Sequence, residues 1–362
     1  MLQKWNSVWL YRVRKRCAMR DRRLQLPQLI ITVFLLVLVA AAWLLKMDMA
    51  VLFNESLVKL VMNGVLVLSL IPMLNVGAGL NFGLPVGIIG GLLGMLVAVN
   101  FRLTGFYGFF AAILFSLVFC LVLGWVYGLI LNRVKGREEI AGTFIGFSFI
   151  PLMNYFWTLA PFTNREMLYP IGGQGLRPKI SLEKYFNHIV DNLWVIRLGD
   201  IEIPFGLLLF FALVCLFLFW YFKTKIGRAI IAVGENEAFA KLSGIDIART
   251  RLTAIIISTV IAGAGICIYT QSYGFIQLYD APLSMAFPAI SAILIGGSSG
   301  KRTFVFEAVL GTYLLQSLYL LTVPIANELL IPELTEILRT FVTYGIILYA
   351  LLVREKGRRS VL

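Results

Sequence analysis

The chain has 362 residues, 59% of them hydrophobic and only 14% charged, whereas soluble domains carry about 25% charged residues. Its mean hydropathy is +0.86, and the apolar residues fall in unbroken blocks of about 20, the length that crosses a hydrocarbon core as a helix. The blocks do not alternate, which argues against a transmembrane barrel. The net charge is +13, but its positive residues sit between apolar blocks, so nucleic-acid binding is not expected.

In chain order, residues 1–26 form a basic tail. About ten membrane-spanning helices are then expected within 27–353, near 27–45, 58–74, 82–99, 107–131, 140–160, 203–222, 252–272, 283–297, 303–323 and 337–353. An eight-span variant keeps 74–100 or 281–300 as re-entrant segments. Residues 354–362 form a short second tail. The first block is too long for a signal-peptide core and no convincing cleavage site follows it, so it reads as a retained helix. Lys and Arg set the orientation. With both termini cytoplasmic, 23 of the 32 fall in the tails, in 132–139, in 223–251 and at Lys301–Arg302. The loop 161–202 is then external, and 223–251 is the largest cytoplasmic loop.

The segment Leu74-Asn75-Val76-Gly77-Ala78-Gly79-Leu80-Asn81 has no Lys or Arg. Two readings stand: unwound backbone lining a cavity, or a tight loop. Gly83, Gly87 and Gly91 repeat every four residues, as do Gly90 with Gly94 and Gly124 with Gly128. That spacing suits close helix packing. Asn63, Asn154, Tyr155, Trp157, Gln271 and Tyr273 put amide and aromatic groups within spans. The external loop mixes Glu166, Glu183, Asp191, Asp200 and Glu202 with basic residues.

The loop 223–251 carries the clearest local signals. Asn236 suits an N-cap, Glu237 the first helical turn, and Glu237 with Lys241 an i,i+4 ion pair. Gly244 suits the C′ position, and Asp246 caps the helix that re-enters the membrane. A short exposed helix of about two turns is expected at 236–244. Further on, Gly296 to Arg302 fails the G-x-x-x-x-G-K-[ST] pattern, because Ile295 and Arg302 stand where Gly and Ser or Thr are needed. No ATP site is therefore expected here. Glu307 lies about one turn into a span; an ion pair with Arg302 and a transport role are both open. The single histidine, His188, and the scattered Cys17, Cys120, Cys215 and Cys267 match no metal-ligand spacing.

The stretch Gly227-Arg228-Ala229, Val233-Gly234-Glu235-Asn236-Glu237-Ala238, Ala240 and Ser243-Gly244-Ile245 resembles the coupling loop of ABC importer permeases, in the branch serving branched-chain amino acids, simple sugars, nucleosides and autoinducers. Pro288-Ala289-Ile290 through Leu294-Ile295-Gly296-Gly297, with Gly300 and Gly311, is similar to the family's late glycine-rich segment. Gly136-Arg137-Glu138-Glu139-Ile140 and Asn154-Tyr155 look like the nucleoside and simple-sugar branch. Asn75-Val76-Gly77 resembles the family's Asn-Ile-Gly motif, although the usual Glu-Gly-Gln continuation is replaced by Ala78-Gly79-Leu80, and Glu307 stands where a small residue is usual.

The resemblance implies an all-α permease subunit, not an enzyme, in a bacterial or archaeal cytoplasmic membrane. It would move a small polar solute inward, a nucleoside or simple sugar being favoured. ATP and Mg would bind a partner ABC ATPase rather than this chain, and a second permease chain and an extracytoplasmic solute-binding protein would complete the system. Gly234, Glu235, Asn236, Glu237, Ala238, Phe239, Ala240, Lys241 and Gly244 would couple to the ATPase. Asn75, Asn81, Asn154 and Tyr155 would line the solute pathway. A secondary transporter or channel is the alternative, but its usual intramembrane charges are scarce.

Overall fold

A computed structural model describes residues 26–169, 175–199, 201–298 and 302–328, with a few positions between 336 and 345. The two tails, most of the expected span 337–353, and Gly300 and Lys301 lie outside these residues.

The described chain is mostly helical. In order it forms α1 (Leu26–Leu44), α2 (Met49–Leu68), α3 (Leu70–Asn75), α4 (Leu84–Asn100), α5 (Gly105–Arg133), α6 (Glu138–Leu159), α7 (Phe205–Tyr221), α8 (Lys225–Glu235), α9 (Glu237–Leu242), α10 (Ile247–Tyr273), α11 (Ala281–Ile295) and α12 (Val305–Glu328). Five segments are long and apolar enough to cross a membrane: Met49–Asn75, Gly105–Arg133, Glu138–Leu159, Ile247–Tyr273 and Val305–Ile325. A sixth arises if α7 and α8, bent by 72°, are one broken span. Ile31–Leu44, Leu84–Asn100 and Ala281–Ile295 are apolar but shorter.

Of the ten spans expected, five to six are long and apolar enough among the described residues, and those expected near 27–45, 82–99 and 283–297 appear as shorter apolar helices; two further differences have a local cause. The second span starts at Met49 rather than near 58, because Asp48 accepts from the Ala50 and Val51 N–H groups and starts the helix early. Glu55 and Lys59 occupy its outer turns, with Glu55 exposed. The loop 223–251 is largely helical, because α8 takes up residues 225–235.

Helices α2, α4, α10, α11 and α12 form the interior, and α5 and α7 expose their outer faces. The four-residue glycine rows are where α4, α5 and α10 meet. A Cβ on Gly87 would collide with Ala262, one on Gly91 with Gly263 and Ile266, and one on Gly94 with the Ser116 backbone. The rows therefore allow close backbone approach, as expected for small residues between membrane helices. Gly296 and Gly311 do the same between α11 and α12.

At one end of the bundle the described residues between 175 and 204 carry short strands. β1 (Lys179–Ser181) pairs antiparallel with β4 (Phe275–Gln277), and β2 (Val195–Leu198) with β3 (Ile201–Pro204). Asp191 fastens this region to the end of α10: its Oδ1 accepts from Gln271 Nε2 at 2.8 Å and Ser272 Oγ at 2.7 Å, and its Oδ2 lies 2.8 Å from His188 Nδ1. Gln271 is thus spent on anchoring. Lys184 and Tyr185 donate to the Glu166 carboxylate and hold its pKa below the usual range.

Candidate functional site

The opposite end of the bundle gathers most of the residues singled out from sequence. Helix α7 ends at Tyr221, and Thr224 makes the turn. Thr224 Oγ1 donates to the Tyr221 carbonyl at 2.7 Å and accepts the Gly227 N–H at 3.2 Å. Along α8, Gly227, Ile230 and Val233 recur every three residues and are buried, while Lys225 and Arg228 face out. This is the one-sided pattern of a helix lying on a surface. Its last turn rests on α3, and a Cβ on Gly234 would overlap the Asn75 carbonyl.

The short helix α9 follows, as the capping signals imply. Asn236 Oδ1 accepts the Phe239 N–H at 3.0 Å, and Gly244 adopts φ +79° just past the end. Asp246 Oδ1 then accepts the Arg249 N–H at 3.1 Å and starts α10. Glu237 pairs with Lys135 Nζ at 2.7 Å, not with Lys241. That pair crosses to the turn between α5 and α6, so it positions α9 rather than stiffening it. Ala240 is buried, whereas Phe239 is 64% and Leu242 89% exposed. Helix α9 is therefore seated by one small side chain and presents two large apolar ones outward.

Beneath α8 the chain is unwound between α3 and α4. Gly77 and Gly79 take φ +77° and +82°, which only glycine adopts freely. Of the two sequence readings, the unwound backbone is present, but Val76, Ala78, Leu80 and Asn81 are buried against neighbouring helices. Side-chain hydrogen bonds tie the segment to the helices around it, and one of them reaches its freed backbone. Asn75 Oδ1 accepts the Thr303 N–H at 2.7 Å, and its Nδ2 donates to the Thr303 carbonyl at 3.0 Å. Glu139 Oε1 accepts the Leu80 N–H at 3.1 Å. Asn81 donates to Ser258 Oγ at 3.2 Å and accepts from the Tyr127 hydroxyl at 3.1 Å.

Beside Glu139, Glu138 forms a buried ion pair with Arg251 on α10. Arg251 is 4% exposed and its Nε has no partner.

The structure thus places Asn75 at the end of α3, against Gly234 of α8, and Asn81 on the unwound segment that follows, each with its own partners. It does not bring Asn154 and Tyr155 to them. Those residues lie about 22 Å further along α6, at 1.5 Å per residue from Glu139. Asn154 is half-buried with an unpartnered Oδ1, and Tyr155 is 68% exposed. Glu307 accepts the Phe304 N–H at 3.1 Å and caps α12, while the Arg302 guanidinium lies over the Phe304 ring instead of pairing with it. Sequence reasoning missed Arg251, Thr303, Tyr127 and Ser258. The one available signal was an arginine on the entering turn of an otherwise apolar helix.

Apolar helices of spanning length, a glycine-packed interior and a capped surface helix at one end define a multi-pass α-helical membrane protein. Residues 25–351 match the family described as "Branched-chain amino acid transport system / permease component". The chain belongs to that family and is an ABC permease. Among curated proteins, it is 32% identical over 127 residues to the Escherichia coli K12 ABC transporter permease protein YphD, covering 34% of this chain and 37% of YphD. It is also 32% identical over 136 residues to the Escherichia coli K12 autoinducer 2 import system permease protein LsrD, covering 35% of this chain and 40% of LsrD. These matches span well under half the length of either relative. A solved metal-chelate type ABC transporter in an inward-facing conformation aligns with 82% of this chain and 85% of its own, at 19% identity and a TM-score of 0.44.

Proposed function

We propose that this permease moves a small polar solute, a nucleoside or simple sugar in preference, into the cytoplasm, driven by ATP hydrolysis on a partner ATPase. The observation that carries the reading is α9, with Phe239 and Leu242 exposed at its surface and Ala240 buried beneath them. A six-residue helix is far below the length that is stable alone in water, so an exposed apolar face on it calls for a docking surface. A cytoplasmic ATPase supplies one, with ATP and Mg held there. Gly234 to Gly244 form the coupling element, and its motion passes through Asp246 into α10 and through the α8 turn into the unwound segment. Inward direction is supported by LsrD, whose system imports autoinducer 2.

The solute pathway lies between this chain and a second permease chain. Tyr155 points away from its own bundle, as a residue lining such a shared path must, and Asn154 with its unpartnered oxygen sits beside it. Asn75 and Asn81 act from the unwound segment as the inner gate. An extracytoplasmic binding protein delivers solute at the end bearing 161–202, and both chain termini are cytoplasmic. The test is uptake by vesicles holding the permease with its ATPase and binding protein. ATP-dependent accumulation of a nucleoside or sugar is the expected result. Equal passage without ATP would instead identify a channel or secondary carrier.

A further inference from the structure

The bend between α7 and α8 carries a cluster of cations to which the coupling residues Gly234 to Gly244 assign no role. Lys223, Lys225 and Arg228 are all exposed, and none has a carboxylate partner among the described residues. No acidic residue lies between Glu202 and Glu235. Lys223 Nζ lies 4.0 Å from the centroid of the Phe219 ring and 5.8 Å from that of Trp220. Its apolar stem and ammonium therefore lie along aromatic surface, the arrangement of a lysine at the boundary between hydrocarbon and water. Trp220 is itself 63% exposed.

From this cluster the same helix leads to an apolar groove of about 270 Å³ between α2, α7 and α10, lined by Val65, Leu213, Phe217, Val260, Ile261 and Ala264. Phe217 and Leu213 precede Lys223 by six and ten residues, which places the groove about 9–15 Å along the helix from that ammonium and around α7 from the Phe219 face on which it rests. Cations at the end of α7, with apolar surface at Phe219 and Trp220 on one face and the apolar groove on another, offer a phosphate site in the headgroup layer and room for acyl chains in the hydrocarbon on either side of the helix. Three cations without carboxylates favour a headgroup carrying net negative charge.

We propose that this bend is a binding site for one anionic phospholipid, with the headgroup phosphate held by Lys223, Lys225 and Arg228 and one acyl chain in the groove. Through the contact of Gly234 with Asn75, the bound lipid steadies α8, and with it the segment from which α9 projects.

Native mass spectrometry of the purified permease tests this, after equilibration in detergent with equal amounts of phosphatidylglycerol and phosphatidylcholine. The wild-type protein is expected to retain phosphatidylglycerol at least about fivefold over phosphatidylcholine, a difference of roughly 1 kcal/mol. Lys223→Gln/Lys225→Gln/Arg228→Gln should abolish that preference. Removing charge at the other end with Lys179→Gln/Arg197→Gln should leave it intact, and Ala264→Phe, which fills the groove, should lower retention of both lipids. If the triple variant does not fold, Lys223→Gln alone should reduce the preference by at least about half. No headgroup preference in the wild type, or an unchanged one in a folded charge variant, would overturn the proposal. Complete displacement of the lipid by excess inorganic phosphate would make this a simple anion site. A shift in chain stoichiometry in place of lipid loss would assign the patch to a second protein chain.

Discussion

At the residue scale, the buried pair of Arg251 and Glu138 is the most consequential contact near the candidate gate. Removing one member of a buried pair leaves an uncompensated charge and costs about 3–5 kcal/mol, whereas replacing both by apolar groups is often nearly neutral. Arg251→Met and Glu138→Gln should each markedly lower the thermal unfolding midpoint of the purified protein, while Arg251→Met/Glu138→Leu should recover most of the loss. A double variant no better than the worse single one would mean that the pair is not a closed unit. Gly234 makes a second residue-scale case. Because a Cβ there would overlap the Asn75 carbonyl, Gly234→Ala should lift α8 off the unwound segment and lower transport at least about tenfold, the effect of about 1.4 kcal/mol. Normal uptake by that variant would show that the contact is dispensable. The caps at Asn236, Gly244 and Asp246 were legible in the sequence because each acts within a few residues of itself. Arg251 and Thr303 were not, because their partners lie 113 and 228 residues away, beyond the reach of any local pattern.

At the scale of elements, α8 and α9 differ in how far they could be read. Helix α9 carries a cap at each end and was found. Helix α8 was read as part of a loop, because Lys225 and Arg228 interrupt its hydropathy and its buried positions include a glycine. Its 72° bend from α7 depends on Thr224 bonding in both directions, and sequence does not specify that geometry. The functional claim at this scale is that α9 docks. Phe239 and Leu242 share its outward side, and a large apolar side chain at the centre of an interface commonly costs at least about 2 kcal/mol when removed. Phe239→Asp should therefore weaken association with the ATPase by about thirtyfold or uncouple hydrolysis from uptake, with insertion into the membrane unchanged. Co-purification and the ratio of ATP hydrolysed to solute taken up would read the two effects separately. Full association with full coupling would remove α9 from the proposed route.

At the scale of the whole molecule, the two ends of the bundle differ in chemistry, and α10 joins them directly. One end holds the α8 turn, α9 and the unwound segment. The other holds the strand pairs and the anchor of Asp191 on Gln271 and Ser272. Helix α10 runs for 27 residues from the Asp246 cap to Gly274, about 40 Å, so a displacement at α9 has an unbroken rod along which to reach the segment 161–204. Helical character and close packing were legible from block length and glycine spacing, though five to six rather than ten spans qualify among the described residues, while the β1–β4 pair escaped because each strand is three residues long and the two are far apart in sequence. The proposal that the α9 end faces the cytoplasm rests on the tendency of cations to concentrate on that side, and it can be tested on two exposed positions. The Lys184 side chain is 75% exposed at the strand end, and Leu242 is 89% exposed at the α9 end. Cys120 and Cys267 are buried and would not compete for reagent, and Cys17 and Cys215 are replaced by Ser in the labelled background. In intact cells, a membrane-impermeant maleimide should label Lys184→Cys readily and Leu242→Cys only after permeabilisation. The reverse pattern would invert the protein in the membrane and place α9 where no cytoplasmic ATPase could reach it. Labelling of both positions in intact cells would put the two ends on one side, which a single helix of this length crossing the bilayer does not allow.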